Sequence, residues 1–261
     1  MTDVSAGLSL TGERTLPGIW HENYWFQRHL AAYEAVRAAA PGGVVVEAGC
    51  GEGYGAALLA PGREAVIALD YDASAVAHVR RAHPDVPVLQ ANLVALPLRD
   101  RSVDAVVSLQ TLEHVWDQDA FLAECVRVLR PTGMLALSTP NRLTFSPGLG
   151  PGEKPRNPFH SRELAPGELV NLLSEHGTVT AIRGLRHGPA IREWERSHGS
   201  VVDAQLARPY RQWDPGLAGL VAALTVDDFT LAADELATCL DLITLATPAR
   251  SGSCTGFGEA R

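Results

Sequence analysis

Lysine is almost absent: Lys154 stands alone against 21 arginines in 261 residues. Cations as a group are outnumbered, 22 Lys and Arg against 30 Asp and Glu, for a net charge of -8. Neutralising phosphate needs clustered cations, so a general nucleic-acid binder is excluded. Cysteine is scarce and scattered. Cys50, Cys125, Cys239 and Cys254 form no CxxC pair, so neither a disulfide framework nor a zinc site is expected. No run approaches the roughly 20 consecutive apolar residues of a membrane helix. The opening MTDVSAGLSL has neither the basic start nor the apolar stretch of a secretory signal. A cytoplasmic chain with no membrane span is expected. What is present is apolar: 46% of residues are hydrophobic and 20% charged, enough for a full core and too apolar for disorder.

The pattern along the chain alternates. Residues 1–43 read as an extended Gly/Pro/Thr arm followed by a helix over 22–40, stopped by Pro41-Gly42-Gly43. Short apolar strands are expected at 44–46, 65–69, 86–89, 103–109 and 134–138, with helices between them. That order indicates a parallel sheet covered on both faces. Residues 140–165 form a loop long enough to suggest a lid or a binding loop. A helix (166–175) and a strand (179–184) follow. The division expected is an arm and helix at 1–43, a core at 44–187, an inserted cap over the acceptor site at 188–238, a final core strand at 239–247 and a tail at 248–261.

The strongest signal is Val46-Glu47-Ala48-Gly49-Cys50-Gly51-Glu52-Gly53-Tyr54-Gly55, directly after a strand and opening a helix. Glycines at alternate positions let the backbone turn tightly and approach a ligand. Nineteen residues after Gly51, at the end of the second strand, Asp70 can accept hydrogen bonds from two ribose hydroxyls. A nucleoside-containing cofactor follows. A dinucleotide fingerprint begun at Gly49 needs Gly or Ala at 54, where Tyr54 stands. Glu47 is awkward beside a pyrophosphate and suits a cationic amine, such as the methionine end of S-adenosylmethionine (SAM). An NAD-dependent oxidoreductase is therefore disfavoured.

With Asp70, Ala91-Asn92-Leu93, Asp104 through Gln110-Thr111-Leu112-Glu113-His114-Val115, and Arg127 through Pro140-Asn141, the chain resembles a class I SAM-dependent methyltransferase. A narrower resemblance rests on Thr11-Gly12-Glu13-Arg14, Glu22-Asn23-Tyr24-Trp25-Phe26, Asn157-Pro158-Phe159-His160 and Leu185-Arg186-His187-Gly188-Pro189. It points to an actinobacterial subgroup linked to polymethylated polysaccharides such as methylglucose lipopolysaccharide. The resemblance implies a doubly wound, Rossmann-like α/β sheet of seven strands with the last antiparallel, a helical arm and an inserted cap. It implies SAM as cofactor, with Glu47, Gly49, Cys50, Gly51 and Gly53 around the methionine part and Asp70 on the ribose. Tyr71 would lie beside adenine, and Asn92 with Leu93 at its amino edge. Asn92 replaces the family's usual Asp, but an amide oxygen still accepts. Gln110 would face the sulfonium, and Arg28 the cofactor carboxylate.

The acceptor expected is a saccharide hydroxyl or another small molecule, and a homodimer is allowed. Such a hydroxyl is too weak an acid to ionise at pH 7, so a positioned base is needed, and histidine fits. His160 in the long loop and His114 after the fourth strand are the candidates, with Glu113 orienting a neighbour and His187 a third choice. Quinone O-methyltransferases carry a Glu-x-x-Glu-His run that can hold a divalent ion. Here Gln110 replaces its first carboxylate, so no metal is expected. Trp194 and Trp213, with Tyr24, Trp25 and Phe26, are candidates to stack on sugar rings or to fill core. Two further alternatives are methylation of a quinone or other secondary metabolite, and a catalytically silent SAM-binding member.

Overall fold

Runs of Val, Ile, Leu and Ala form the centre of the fold because helices cover both faces of the sheet they build. In the computed structural model, which describes residues 15–249, β1 (Val44–Ala48), β2 (Ala65–Asp70), β3 (Val88–Gln90), β4 (Val103–Leu109) and β5 (Leu129–Pro140) are parallel. Thr11 to Arg14 and Cys254, like all of 1–14 and 250–261, lie outside the described residues. Helix α1 (Asn23–Ala39) precedes the sheet, and α2 (Tyr54–Leu59), α3 (Ala73–Ala82) and α4 (Gln118–Val128) connect its strands. Asp72 and Asp117 start α3 and α4 by accepting the N–H groups of Ser74 and Ala120. The chain moves outward from β1 to β3, then returns to lay β4 on the other side of β1. The crevice beyond the carboxyl ends of β1 and β4 is thus the switch point at which such sheets bind ligands.

The second half completes the sheet with α5 (Arg142–Phe145), α6 (Pro166–His176) and β6 (Gly177–His187), then α7 (Pro189–His198), α8 (Val201–Leu206) and α9 (Pro215–Ala223). β7 (Phe229–Ala232) and β8 (Asp241–Pro248) follow, giving the order 3-2-1-4-5-8-6-7. β8 is antiparallel to both neighbours, and β7 to β6. The sheet therefore has eight strands where the resemblance implied seven. The extra one is four residues long, and its partners, Gly184 to His187, lie more than forty positions earlier, so no local pattern announces it.

Two expectations change with the packing. The stretch 140–165 is pinned down: Asn141 is buried and donates to the carbonyls of Leu236 and Cys239, Arg142 pairs with Glu168, and Leu164 is buried. The segment 188–238 also departs from a cap. Ile191, Val201, Leu217, Val221, Leu224 and Phe229 share one buried cluster with Tyr24, Ala32 and Val36 of α1. Asn23 bonds the carbonyls of Val221 and Leu224, each at 2.9 Å. Trp194 stacks on His198 and Trp213 donates to backbone carbonyls, so both serve this packing. Tyr24 is fully buried against His187, Trp25 lies under the Arg28 guanidinium, and Phe26 meets Tyr54 edge-on.

Helix α1 is tied to the sheet by two buried polar contacts. Arg28 donates to Asp241 from Nε at 2.6 Å and from Nη2 at 2.5 Å. Its charge is spent on β8, and Arg28 does not line the cleft described below, contrary to the expected contact with a cofactor carboxylate. The Tyr33 hydroxyl donates to Glu47 Oε1 at 2.5 Å. Glu47 lies completely buried beneath the glycine loop, its Oε2 without a hydrogen-bond partner, and burial pushes its pKa up to about 8. It too is outside the cleft wall.

Removing Arg28 strands a carboxylate in the interior. Arg28→Met is expected to cost about 3–5 kcal/mol, read as a lowered urea midpoint, and an unchanged midpoint would contradict a structural role. For Glu47 the folded state holds its proton more tightly than the unfolded chain. Its contribution is therefore fully present below the ordinary carboxylate range and declines as pH rises toward 8, by roughly 1.4 kcal/mol per pH unit. Glu47→Gln keeps an acceptor for Tyr33 and lacks this slope. Urea midpoints of the two proteins should diverge between pH 5 and pH 8, and parallel profiles would rule the account out.

Candidate active site

The glycine loop between β1 and α2 is shaped by what it must touch. Gly49, Gly51 and Gly53 have φ of +85°, +49° and +80°, the left-handed region that disfavours a side chain. A Cβ at Gly49 would fall 2.4 Å from Thr111 Oγ1, and one at Gly53 would fall 2.6 Å from Val79. The loop is thus pressed against β4's end on one side and α3 on the other. Gly51 meets nothing there, and its N–H donates to Asp70 Oδ2 at 2.8 Å. The other Asp70 oxygen accepts the Asp72 N–H at 2.9 Å. Two backbone donors therefore fix this carboxylate at the mouth of the crevice.

Around it opens a cleft of about 660 Å³, within the usual range for small-molecule sites. Gly49, Gly51, Asp70, Tyr71, Asn92, Leu93 and Gln110 all line it, brought together from the ends of β1, β2, β3 and β4. Cys50 and Gly53 do not: the Cys50 side chain packs into the core, and Gly53 faces α3. Gln110 has φ of +51°, rare for a side-chain-bearing residue, and its Nε2 donates to Ser138 Oγ at 3.1 Å. Held strain of this kind is a marker of functional positions.

Beyond Gln110 the wall is built by Thr111, Val115 and Phe159, which the motifs contained without a role assigned to them, and by Trp116 and Asp117, which no motif contained. The available signal was adjacency to His114 and His160. His114, on the single turn Leu112–His114, lines the cleft. Its Nδ1 lies 3.2 Å from the Phe159 carbonyl, which only accepts, so Nδ1 carries the proton and Nε2 is the basic nitrogen. The segment carrying Phe159 is docked through Ser161, whose N–H reaches the Glu113 carbonyl at 2.6 Å and whose hydroxyl reaches that of Val115 at 2.6 Å.

His160, expected as the leading base, stands behind this wall. It is buried, stacked on Phe145 and edge-on to His114 at 4.9 Å. Its Nδ1 meets Glu163 Oε1 at 2.6 Å and its Nε2 meets Asn157 Nδ2 at 3.0 Å. Asn157 Oδ1 takes the Phe159 N–H, so the amide nitrogen is the donor to His160. Both ring nitrogens of His160 are engaged inside the protein, and of the two histidines only His114 lines the cleft. His187 is farther still, bridging Tyr24 and Glu195. Glu113 is 1% exposed and accepts from Thr139 at 2.9 Å, and burial pushes its pKa up to about 7. Glu113, His114 and His160 bring potential ligand atoms within 4.8 Å of one another. A cation held there would displace one of His160's two hydrogen bonds. Trp194, Trp213 and the rest of 188–238 contribute nothing to this cleft, so the expected cap does not form its wall.

A family model described as a methyltransferase domain matches residues 46–137. A Mycobacterium tuberculosis protein named a probable S-adenosylmethionine-dependent methyltransferase is 51% identical, over 92% of this chain and 90% of its own. A ubiquinone biosynthesis O-methyltransferase of Rickettsia akari is 27% identical over 66% of this chain and 69% of its own. The solved Haloferax volcanii methyltransferase in complex with the Trm112 activator superposes with a TM-score of 0.60 at 18% identity, over 88% of this chain and 94% of that one. That likeness shows the shared Rossmann-like α/β fold. No helix among the described residues is long and apolar enough to cross a membrane. The chain belongs to the SAM-dependent methyltransferases, and SAM is its methyl donor.

Proposed function

We propose that the enzyme methylates a hydroxyl of a saccharide, in the making of a polymethylated polysaccharide, with His114 as the general base. The supporting observation is the His114 imidazole on the cleft wall beside Gln110 and Thr111, its tautomer set by the Phe159 carbonyl. In this reading residues 44–187 with 239–247 bind SAM. The Gly49–Gly51 loop faces the methionine part, Asp70 the ribose, and Tyr71, Asn92 and Leu93 the adenine. The acceptor oxygen attacks the methyl carbon in line with the departing sulfur. The C–S bond breaks as the C–O bond forms, the sulfonium leaves as a neutral thioether, and Nε2 of His114 takes the hydroxyl proton. Glu113 and the buried His160–Glu163 pair pack behind that imidazole and hold the segment that fixes it.

A second reading, O- or C-methylation of a quinone or other secondary metabolite, is favoured by the Glu113-His114 pair and by the 27% identity to the Rickettsia enzyme. Fold and cofactor do not separate the two, since acceptors are read by the site.

Mass spectrometry of glucose and mannose oligosaccharides, partly methylated and not, after incubation with enzyme and SAM should show one added methyl on the carbohydrate. Methylation of phenolic acceptors alone would overturn the saccharide reading in favour of the second. His114→Ala is expected to lower kcat about a hundredfold, within the range for a general base, with SAM affinity nearly unchanged by calorimetry. Wild-type kcat in that variant would remove His114 from the chemistry.

A further inference from the structure

Resting on the saccharide reading above, we propose that Trp116 and Asp117 form the acceptor-recognition wall, with a pyranose ring stacked on the indole and its hydroxyls donating to the carboxylate. Both residues line the cleft together with His114, on the stretch that follows β4. Trp116 is 92% exposed, whereas Trp25 lies beneath Arg28, Trp194 is stacked on His198, and Trp20 and Trp213 meet edge-on. A large apolar ring held in water at the mouth of a cleft marks a binding surface.

The ring is also held ready. Its backbone sits between two fixed points: the Val115 carbonyl, bonded by Ser161 Oγ at 2.6 Å, and the first turn of α4, where Asp117 Oδ1 accepts the Ala120 N–H at 2.9 Å. That cap uses one carboxylate oxygen. Among the described residues no hydrogen bond goes to the other oxygen, Oδ2, and Asp117 is one of the residues lining the cleft. Phe159, 58% exposed, adds a second aromatic face on the segment that anchors His114.

This pairing matches sugar chemistry. A pyranose presents an apolar C–H face, which packs on an aromatic ring, and a rim of several hydroxyl donors, which an ionised carboxylate accepts strongly. A phenol with one hydroxyl would use the indole but, with that hydroxyl delivered to His114, would leave Asp117 nothing to accept. The carboxylate beside the indole is therefore what points to a polyhydroxylated substrate.

The test is steady-state kinetics of Trp116→Ala and Asp117→Asn on a methyl-accepting oligosaccharide, with SAM affinity measured by calorimetry. Asparagine still caps α4 through its side-chain oxygen, so the second variant keeps the fold. KM for the saccharide should rise about tenfold or more in each variant, with kcat within about threefold of wild type and SAM affinity unchanged. Wild-type KM in both variants, with saccharide turnover intact, overturns the wall and leaves the saccharide reading standing. A parallel loss of SAM affinity also overturns it, since these residues would then serve the cofactor half. If the wild type methylates only phenolic acceptors, with Asp117→Asn indistinguishable from it, both the wall and the saccharide reading fall.

Discussion

The site depends on how closely two strand ends approach. At the carboxyl ends of β1 and β4, Gly49 lies so near Thr111 that a single added carbon would fall 2.4 Å from the hydroxyl. That contact brings the glycine loop against the turn that carries His114, so that both line one cleft. Around it the backbone enters the left-handed region four times, cheaply at Gly49, Gly51 and Gly53 and at a cost at Gln110. The parallel sheet, with β2 and β3 on one flank and β5 on the other, supplies the rigid frame that such bends need.

A second layer of polar ties keeps that frame in place. Arg28 to Asp241, Tyr33 to Glu47, and Tyr24 through His187 to Glu195 join α1 to β8, β1, β6 and α7. Each is buried or nearly so, and each takes a charged or titratable group away from the ligand cleft. Residues 188–238 follow the same logic, spending their apolar side chains on α1 and leaving the cleft mouth to Tyr71, Trp116 and Phe159. The His160 segment is tied down in the same way: Asn157, Glu163 and Ser161 anchor it, and its Phe159 carbonyl meets His114 Nδ1 at 3.2 Å.

The legible part of the site was the part made of short-range pattern. Strands β1, β2 and β4 are predominantly apolar, so their ends could be placed. Asp70, Asn92 and Gln110 stand at or just past such ends, where a parallel sheet presents residues to one crevice. Trp116 and Asp117 belong to the same strand-end stretch, but nothing local distinguishes an exposed indole at a cleft from one that fills core. Aromatic residues were sought in 188–238, where the composition suggested a cap. Whether an aromatic is buried depends on what packs against it.

By itself the sequence determined the alternation of strands and helices, the glycine loop and the acid that follows it, because each is specified by neighbours a few residues apart. Tertiary structure decided the fates of Arg28, Glu47 and His160. Arg28 meets a carboxylate 213 positions away, Glu47 is covered by a tyrosine of another helix, and both nitrogens of His160 are taken by a segment folded back on the His114 turn. It also decided the eighth strand, whose four residues extend only because the edge of β6 offers them partners. Charge, burial and proton position are properties of surroundings, and in this protein those surroundings are assembled from distant parts of the chain.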